Sequence, residues 1–289
     1  MVSMCAVRRA VLAMCSAAVI AAAPTTAAAQ DAPVSPNAGN LTLTAGIDAL
    51  NTYMFRGIRQ DDTKVITWPY ADLGLSLHSG DGALESVGVN IGTWNSLHTG
   101  AAGSDGPSGK LWYESDFYAT LGLGFGGGVS LGTTYTAYTS PNSAFGTVKE
   151  VAVKVALDDS GALGRGALNP YGLVAFELDG QADGGTGEGT YLELGVAPGW
   201  AARAVTLALP VKVGLSLSDY YELDGVDERF GYFSVGGVVT VPITGIPASF
   251  GAWNVHGGVE YQALGEMTKA LNDGDTSKVI GSFGIGLSY

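Results

Sequence analysis

Side chains able to act as a nucleophile or carry a proton in catalysis are sparse in this 289-residue chain. His78 precedes Ser79, and His256 shares an alternating face with Asn254 and Glu260. A hydrolase needs a serine, a histidine base and an orienting group within hydrogen-bond reach. No phospholipase motif surrounds either histidine, so no catalytic residue is assigned. Both cysteines, Cys5 and Cys15, fall in the first 29 residues, which leaves the later chain without a thiol nucleophile, a disulfide or a cysteine metal site. Gly122-x-Gly124-x-x-Gly127 has the spacing of a dinucleotide fingerprint, but it ends a strand at a hairpin and no helix follows. Asn272-Asp273-Gly274-Asp275 is too short for an EF-hand and lacks its spaced glutamate. No metal or cofactor is expected. Asp219, Glu222, Asp224, Asp227 and Glu228 form one acidic loop, which either bridges divalent ions to anionic headgroups or is simply solvated.

Charge carries more information. Lys and Arg number 14 against 27 Asp and Glu, a formal charge of −13, so there is no basic footprint for nucleic acid. The charged residues fall on one side of alternating rows. Asp48, Asp72, Glu114, Asp116, Glu150, Asp158, Glu177, Glu193 and Glu260 lie opposite apolar files, as do Lys154, Lys212 and Lys278. The face of Glu177 is ambiguous. A lysine facing lipid at mid-depth would cost about 2–4 kcal/mol, so the charged row must face inward if the apolar row faces acyl chains.

The elements behind these rows are strands. Val279, Gly281, Phe283, Ile285, Leu287 and Tyr289 share one face, and Val205 to Leu217 repeats the pattern at every second residue. Twelve such segments are expected, near 41–55, 66–78, 85–94, 112–125, 128–139, 148–158, 167–178, 189–200, 205–218, 230–241, 250–262 and 278–289. Connections after even-numbered strands are short, and most of those after odd-numbered strands are longer and more polar. This predicts an all-β, single twelve-stranded antiparallel transmembrane barrel of the bacterial outer-membrane type over residues 41–289, with both termini periplasmic. In lipid every backbone N–H and C=O must be paired, and a closed sheet does this without an edge. Arg8 and Arg9, the apolar run Val11–Ala23 and Ala27-Ala28-Ala29 predict a cleaved secretory signal over 1–29, followed by a short periplasmic segment over 30–40. Tyr53, Phe55, Tyr113 and Tyr261 are expected in one interfacial girdle, and Phe125, Trp200, Trp253 and Tyr289 in the other. Phe283, Ile285, Leu287 and the terminal Tyr289 form a candidate signal for the barrel-assembly machinery.

Asn51 to Asp62 reads NTYMFRGIRQDD. With Gly92-Thr93-Trp94-Asn95-Ser96 and Glu114-Ser115-Asp116-Phe117-Tyr118, it resembles patches of the TorF-type outer-membrane porin family over residues 41–125. Tyr53, Phe55, Arg56, Gly57 and Gln60 match, whereas Arg59 stands where that family more often has serine. The resemblance implies an outer-membrane channel and supplies no substrate. Arg56 either turns into the mouth to select solute or pairs with an acid to fix the loop, and Gly57 permits the bend. The inner acids either favour cations in a channel for small polar solutes or form ion pairs and hydrogen bonds that seal the barrel. Inward glycines such as Gly92, Gly195 and Gly214 are expected to leave open space unless a loop folds in. Outer-membrane lipid, lipopolysaccharide and small polar solutes are the expected partners. A lipid-acting barrel enzyme and a closed structural or adhesion barrel are the alternatives.

Overall fold

The computed structural model describes residues 39–100, 111–202 and 205–289; the expected leader and nearly all of the segment after it lie outside the described residues. Alternation dictates strands, and the strands close into a ring. In chain order they are β1 (Leu41–Leu50), β2 (Ile66–Ser79), β3 (Leu84–His98), β4 (Trp112–Phe125), β5 (Val129–Thr139) and β6 (Val148–Leu157). There follow β7 (Tyr171–Asp179), β8 (Thr190–Val196 continued by Gly199–Ala202), β9 (Val205–Ala208 continued by Val211–Ser218), β10 (Phe230–Pro242), β11 (Ala252–Leu264) and β12 (Ser277–Ser288). Each pairs antiparallel with its neighbours, and β1 closes on β12 with Thr44 opposite Ser288 and Leu50 opposite Ser282. Pro198 and Pro210 interrupt β8 and β9 without shifting the register, since Val196 opposite Val211 and Gly199 opposite Ala208 belong to one alignment. A proline removes a ladder donor, so the sheet is locally weaker there.

The outer surface is apolar. Ile91, Phe117, Val259 and Phe283 are 58–64% exposed, an arrangement that water does not favour and acyl chains do. The C-terminal residue completes the ring, since the backbone groups of Tyr289 exchange hydrogen bonds with those of Leu43.

Three boundaries differ from expectation, and one is the start of β7, at Tyr171 rather than near 167. β1 ends at Leu50 rather than near 55, because the chain leaves the wall to form a hairpin from Tyr53–Phe55 and Ile58–Asp61. β3 runs on to His98 rather than stopping near 94, paired with β2 through Ile66 and His98. The hairpin turn is Arg56-Gly57, with φ of 48° and 84°. Two positive φ values in a two-residue connection define the type I′ turn that suits strand twist.

That hairpin folds into the barrel. Tyr53, Met54, Arg56 and Ile58 are all buried, and the rings of Tyr53 and Trp68 meet edge to face at 5.1 Å. The expected interfacial role of Tyr53 and Phe55 is therefore corrected. Their rings pack on the inner wall, and Tyr113 also turns inward to stack on His98 at 4.2 Å. The loop Asp219–Arg229 contributes Tyr220 and Tyr221, both fully buried, and a short helix, α1 (Glu266–Leu271), closes the remaining side with Met267 and Thr268. A burial gain for large aromatic rings, on the order of 1.5–3 kcal/mol each, drives the loops inward.

Candidate functional site

The site is the lumen at its long-loop end, and the hairpin occupies its centre. Arg56 donates to both carboxylate oxygens of Glu150, at 2.6 and 2.8 Å, and to the Tyr220 hydroxyl at 2.8 Å. Its guanidinium lies over the Tyr191 ring, 4.3 Å from the centroid. The two charged side chains keep only 7% and 2% of their exposure, so this is a buried, bidentate pair. The turn itself is clamped. Tyr221 donates to the Arg56 carbonyl, and the Asn272 side chain donates to the Gly57 carbonyl while accepting from the Arg59 N–H. A Cβ on Gly57 would come within 2.9 Å of the Tyr232 ring, so the tip sits hard against β10.

The other motif residues serve the same closure. The Tyr53 hydroxyl donates to Glu114 at 2.8 Å, Phe55 meets Tyr138 edge on at 5.4 Å, and Gln60 accepts from the Tyr113 hydroxyl at 2.7 Å. At the rim, Arg59 pairs with Asp62, Asp273 and Asp275, and Lys278 pairs with Asp62 and Asp275. Lys278, hydrogen-bonded to Asp62, and Arg59 beside it hold that carboxyl below its ordinary range, against a smaller opposing effect of burial. Arg59, where the resembled family more often has serine, thus fastens the first loop to the last.

The structure brings most of the sequence-predicted acids onto the inner wall and gives most of them a partner. Asp48 faces His256 at 2.5 Å, Asp72 accepts from Asn90 at 2.6 Å, and Glu260 accepts from Ser234 at 2.6 Å. Glu193 accepts from the hydroxyls of Tyr171, Tyr191 and Tyr232 at 2.8, 2.8 and 3.0 Å, with Lys212 4.0 Å away. Lys154 lies over the Tyr171 ring at 4.3 Å. Asp116, beside Glu114, is buried. Glu177, whose face the sequence leaves open, is buried and accepts from Ala182 and Gly189 of its own loop. Asp158 lies exposed at the turn end, and Lys278 sits at the loop rim.

Glycine does not leave space where tyrosine stands opposite. Gly46, Gly92, Gly195 and Gly214 are the cross-strand partners of Tyr70, Tyr118, Tyr171 and Tyr232. A Cβ at any of the four would fall 2.2–2.6 Å from the facing ring. Each ring lies down over its glycine and thickens the wall. Gly122, by contrast, has nothing closer than 3.9 Å. Lys212 and His256 point inward yet their side chains keep 21% exposure, so the lumen around them is not fully filled by side chains.

The histidines do not assemble a hydrolase around His78 or His256. His78 is exposed at the turn end, and both ring nitrogens of His256 are taken, by Asn254 at 2.9 Å and by Asp48. His98, which sequence reasoning passed over, has the more suggestive neighbours. Its Nε2 is 2.7 Å from the Ser96 hydroxyl, and its Nδ1 is 3.0 Å from Asp61, although off the hydrogen-bond direction. The order of atoms is that of a nucleophile, a base and an acid. Ser96 is fully buried, however, accepts from the Trp68 indole, and is covered by the hairpin that brings Asp61. Any movement that admitted a substrate would remove the acid, so the trio fastens the hairpin to β3. Its one sequence signal was Ser96-x-His98, two residues that share a strand face only if β3 extends that far.

No protein-family model matches the chain, and no curated protein matches its sequence. Solved structures do. The COG4313 outer membrane channel from Pseudomonas putida F1 is 12% identical, over 90% of this chain and 100% of that one, with a TM-score of 0.49. The translocator domain of autotransporter NalP from Neisseria meningitidis is 13% identical, over 87% and 89%, with a TM-score of 0.42. The outer membrane channel DcaP of Acinetobacter baumannii is 11% identical, over 89% and 100%, with a TM-score of 0.38. Among the described residues no cluster of three or more histidine, cysteine, aspartate or glutamate side chains is placed to hold a metal ion.

Proposed function

We propose that the chain is a porin-like channel of the bacterial outer membrane, TorF-type by its motif, that passes small polar solutes and is closed at the long-loop end by its own first loop. The observation that carries this reading is the nature of the obstruction. The wall is a complete ring without the hairpin, and the hairpin is held by an ion pair, hydrogen bonds and ring contacts that can be broken together. Its withdrawal would strip Glu114 of Tyr53 and Glu150 of Arg56, leaving Glu150 without its countercharge and both carboxylates open to the lumen. An open state lined by such groups favours cations. The termini face the periplasm in this reading, the apolar belt meets lipid and lipopolysaccharide, and the strip Phe283, Ile285, Leu287 and Tyr289 addresses the barrel-assembly machinery.

The filled loop end also favours a second reading, a permanently closed structural barrel. Purified protein in planar bilayers separates the two. A channel gives stepwise conductance, rare in the native chain and frequent when residues 53–61 are replaced by a short glycine-serine linker, with reversal potentials that favour cations. Asp72→Asn with Asp116→Asn in the linker variant is expected to reduce that preference. Silence from the linker variant in clean preparations would support the closed barrel.

A further inference from the structure

The pocket around the Arg56 side chain is a built recognition site rather than a gap that an arginine happens to fill. The wall contributes three of its elements from three strands: Glu150 on β6, Tyr138 on β5 and Tyr191 on β8. Glu150 presents both oxygens to the two terminal nitrogens of the guanidinium, and the Tyr138 hydroxyl donates to Oε1 from 3.3 Å. Tyr191 lies beneath with its face 4.3 Å from the guanidinium carbon, and Tyr220 of the fifth long loop accepts a further N–H. A bidentate carboxylate fork and an aromatic face beneath the cation are the two recognition elements that distinguish a planar guanidinium from a compact ammonium. All four side chains are buried, so the geometry is fixed by packing rather than by chance encounter at a surface.

We propose that Glu150, Tyr138 and Tyr191 form a binding site for small guanidinium-bearing cations, and that Arg56 is a tethered ligand occupying it in the closed lumen. A soluble guanidinium compound that reaches the site competes with Arg56 for the same carboxylate. The tethered ligand wins when no competitor is present, because its local concentration is set by a hairpin anchored a few residues away at Leu50 and Ile66. The inference concerns occupancy of the site and holds whether or not ions cross the barrel.

The test is a chemical rescue. Arg56→Ala leaves a guanidinium-sized space and an unpaired Glu150, so the hairpin seats poorly. Guanidinium chloride is then titrated into the variant in detergent at constant ionic strength, by calorimetry and by tryptophan fluorescence. Trp68 and Trp94 pack on Tyr53, 5.1 and 5.5 Å away, and so report reseating. The expected result is a saturable signal with half-effect at about 1–10 mM, far below denaturing concentrations and in the range for one small ion in a single charged site. Methylammonium should be at least about tenfold weaker, because it has no planar fork. Sodium should give nothing, and Arg56→Ala combined with Glu150→Gln should lose the response. Absence of saturation, equal response to sodium, or a response that survives Glu150→Gln would overturn the proposal. If Arg56→Ala fails to give the heat-modifiable migration of a folded barrel, the linker variant lacking 53–61 takes its place in the calorimetry, with the same expected and refuting outcomes. Since neither readout is ion flow, a failed rescue and a failed channel are told apart.

Discussion

The ion pair between Arg56 and Glu150 offers the sharpest handle on the closed state. Its two hydrogen bonds of 2.6 and 2.8 Å lie where both partners are almost wholly shielded. Removing one member of such a pair strands the other in a low-dielectric setting and costs about 3–5 kcal/mol. The penalty falls on the closed arrangement alone, since in an open lumen water reaches the stranded group. At about 1.4 kcal/mol per factor of ten, the closed-to-open ratio should drop roughly a hundred- to several-thousand-fold in either Glu150→Gln or Arg56→Met. The double variant leaves no charge behind and replaces an ion pair with two neutral side chains of similar volume. Closure should return to within about 1–2 kcal/mol of the native chain, a coupling that a double-mutant cycle measures directly. Single-channel recording gives the open fraction for all four proteins, and tryptophan fluorescence follows the hairpin independently. Single variants indistinguishable from the native chain, or a double variant that simply adds the two losses, would refute the assignment of this pair as the lock.

Further outcomes are expected of the same hairpin. Gly57→Ala should unseat the tip by about 1 kcal/mol or more, because φ is +84° and the new methyl group would press on Tyr232; protease cleavage within 53–61 should rise, with the barrel itself intact. Tyr53→Phe removes a buried hydroxyl that donates to Glu114 and should weaken closure by about 1.5–3 kcal/mol, seen as an altered Trp68 and Trp94 emission. The rim should respond to acid. The Asp62 carboxyl has a folded pKa below its unfolded value, so its contribution is fully present above about pH 4 and is lost as pH falls through the lower, folded value. Acidification should therefore loosen the tie between the first and last loops, and Asp62→Asn should loosen it already at neutral pH and diminish the acid step; an unchanged step would contradict the role given to Asp62.

Much of the wall was legible from residue order. Alternation with period two is a local property, fixed by the strand's own geometry, and it located all twelve strands to within a few residues apart from the ends of β1 and β3 and the start of β7. The charged files fell on the inner face for the same reason, since each sits one position away from a lipid-facing neighbour. Even the turn Arg56-Gly57 could be anticipated, because glycine there permits the positive φ a tight reversal requires. The inward direction of that turn could not. It depends on Glu150, which lies 94 residues further along the chain, and on Tyr220, 164 residues away. The same holds for the glycines: Gly92 and Tyr118 are 26 positions apart, and only the register that sets them opposite turns apparent free space into a ring-filled wall. Sequence fixes which face each side chain takes along its own strand, because that follows from local backbone geometry. Whether a loop enters the lumen is decided by contacts between residues far apart in the chain, and those exist only once the ring has closed.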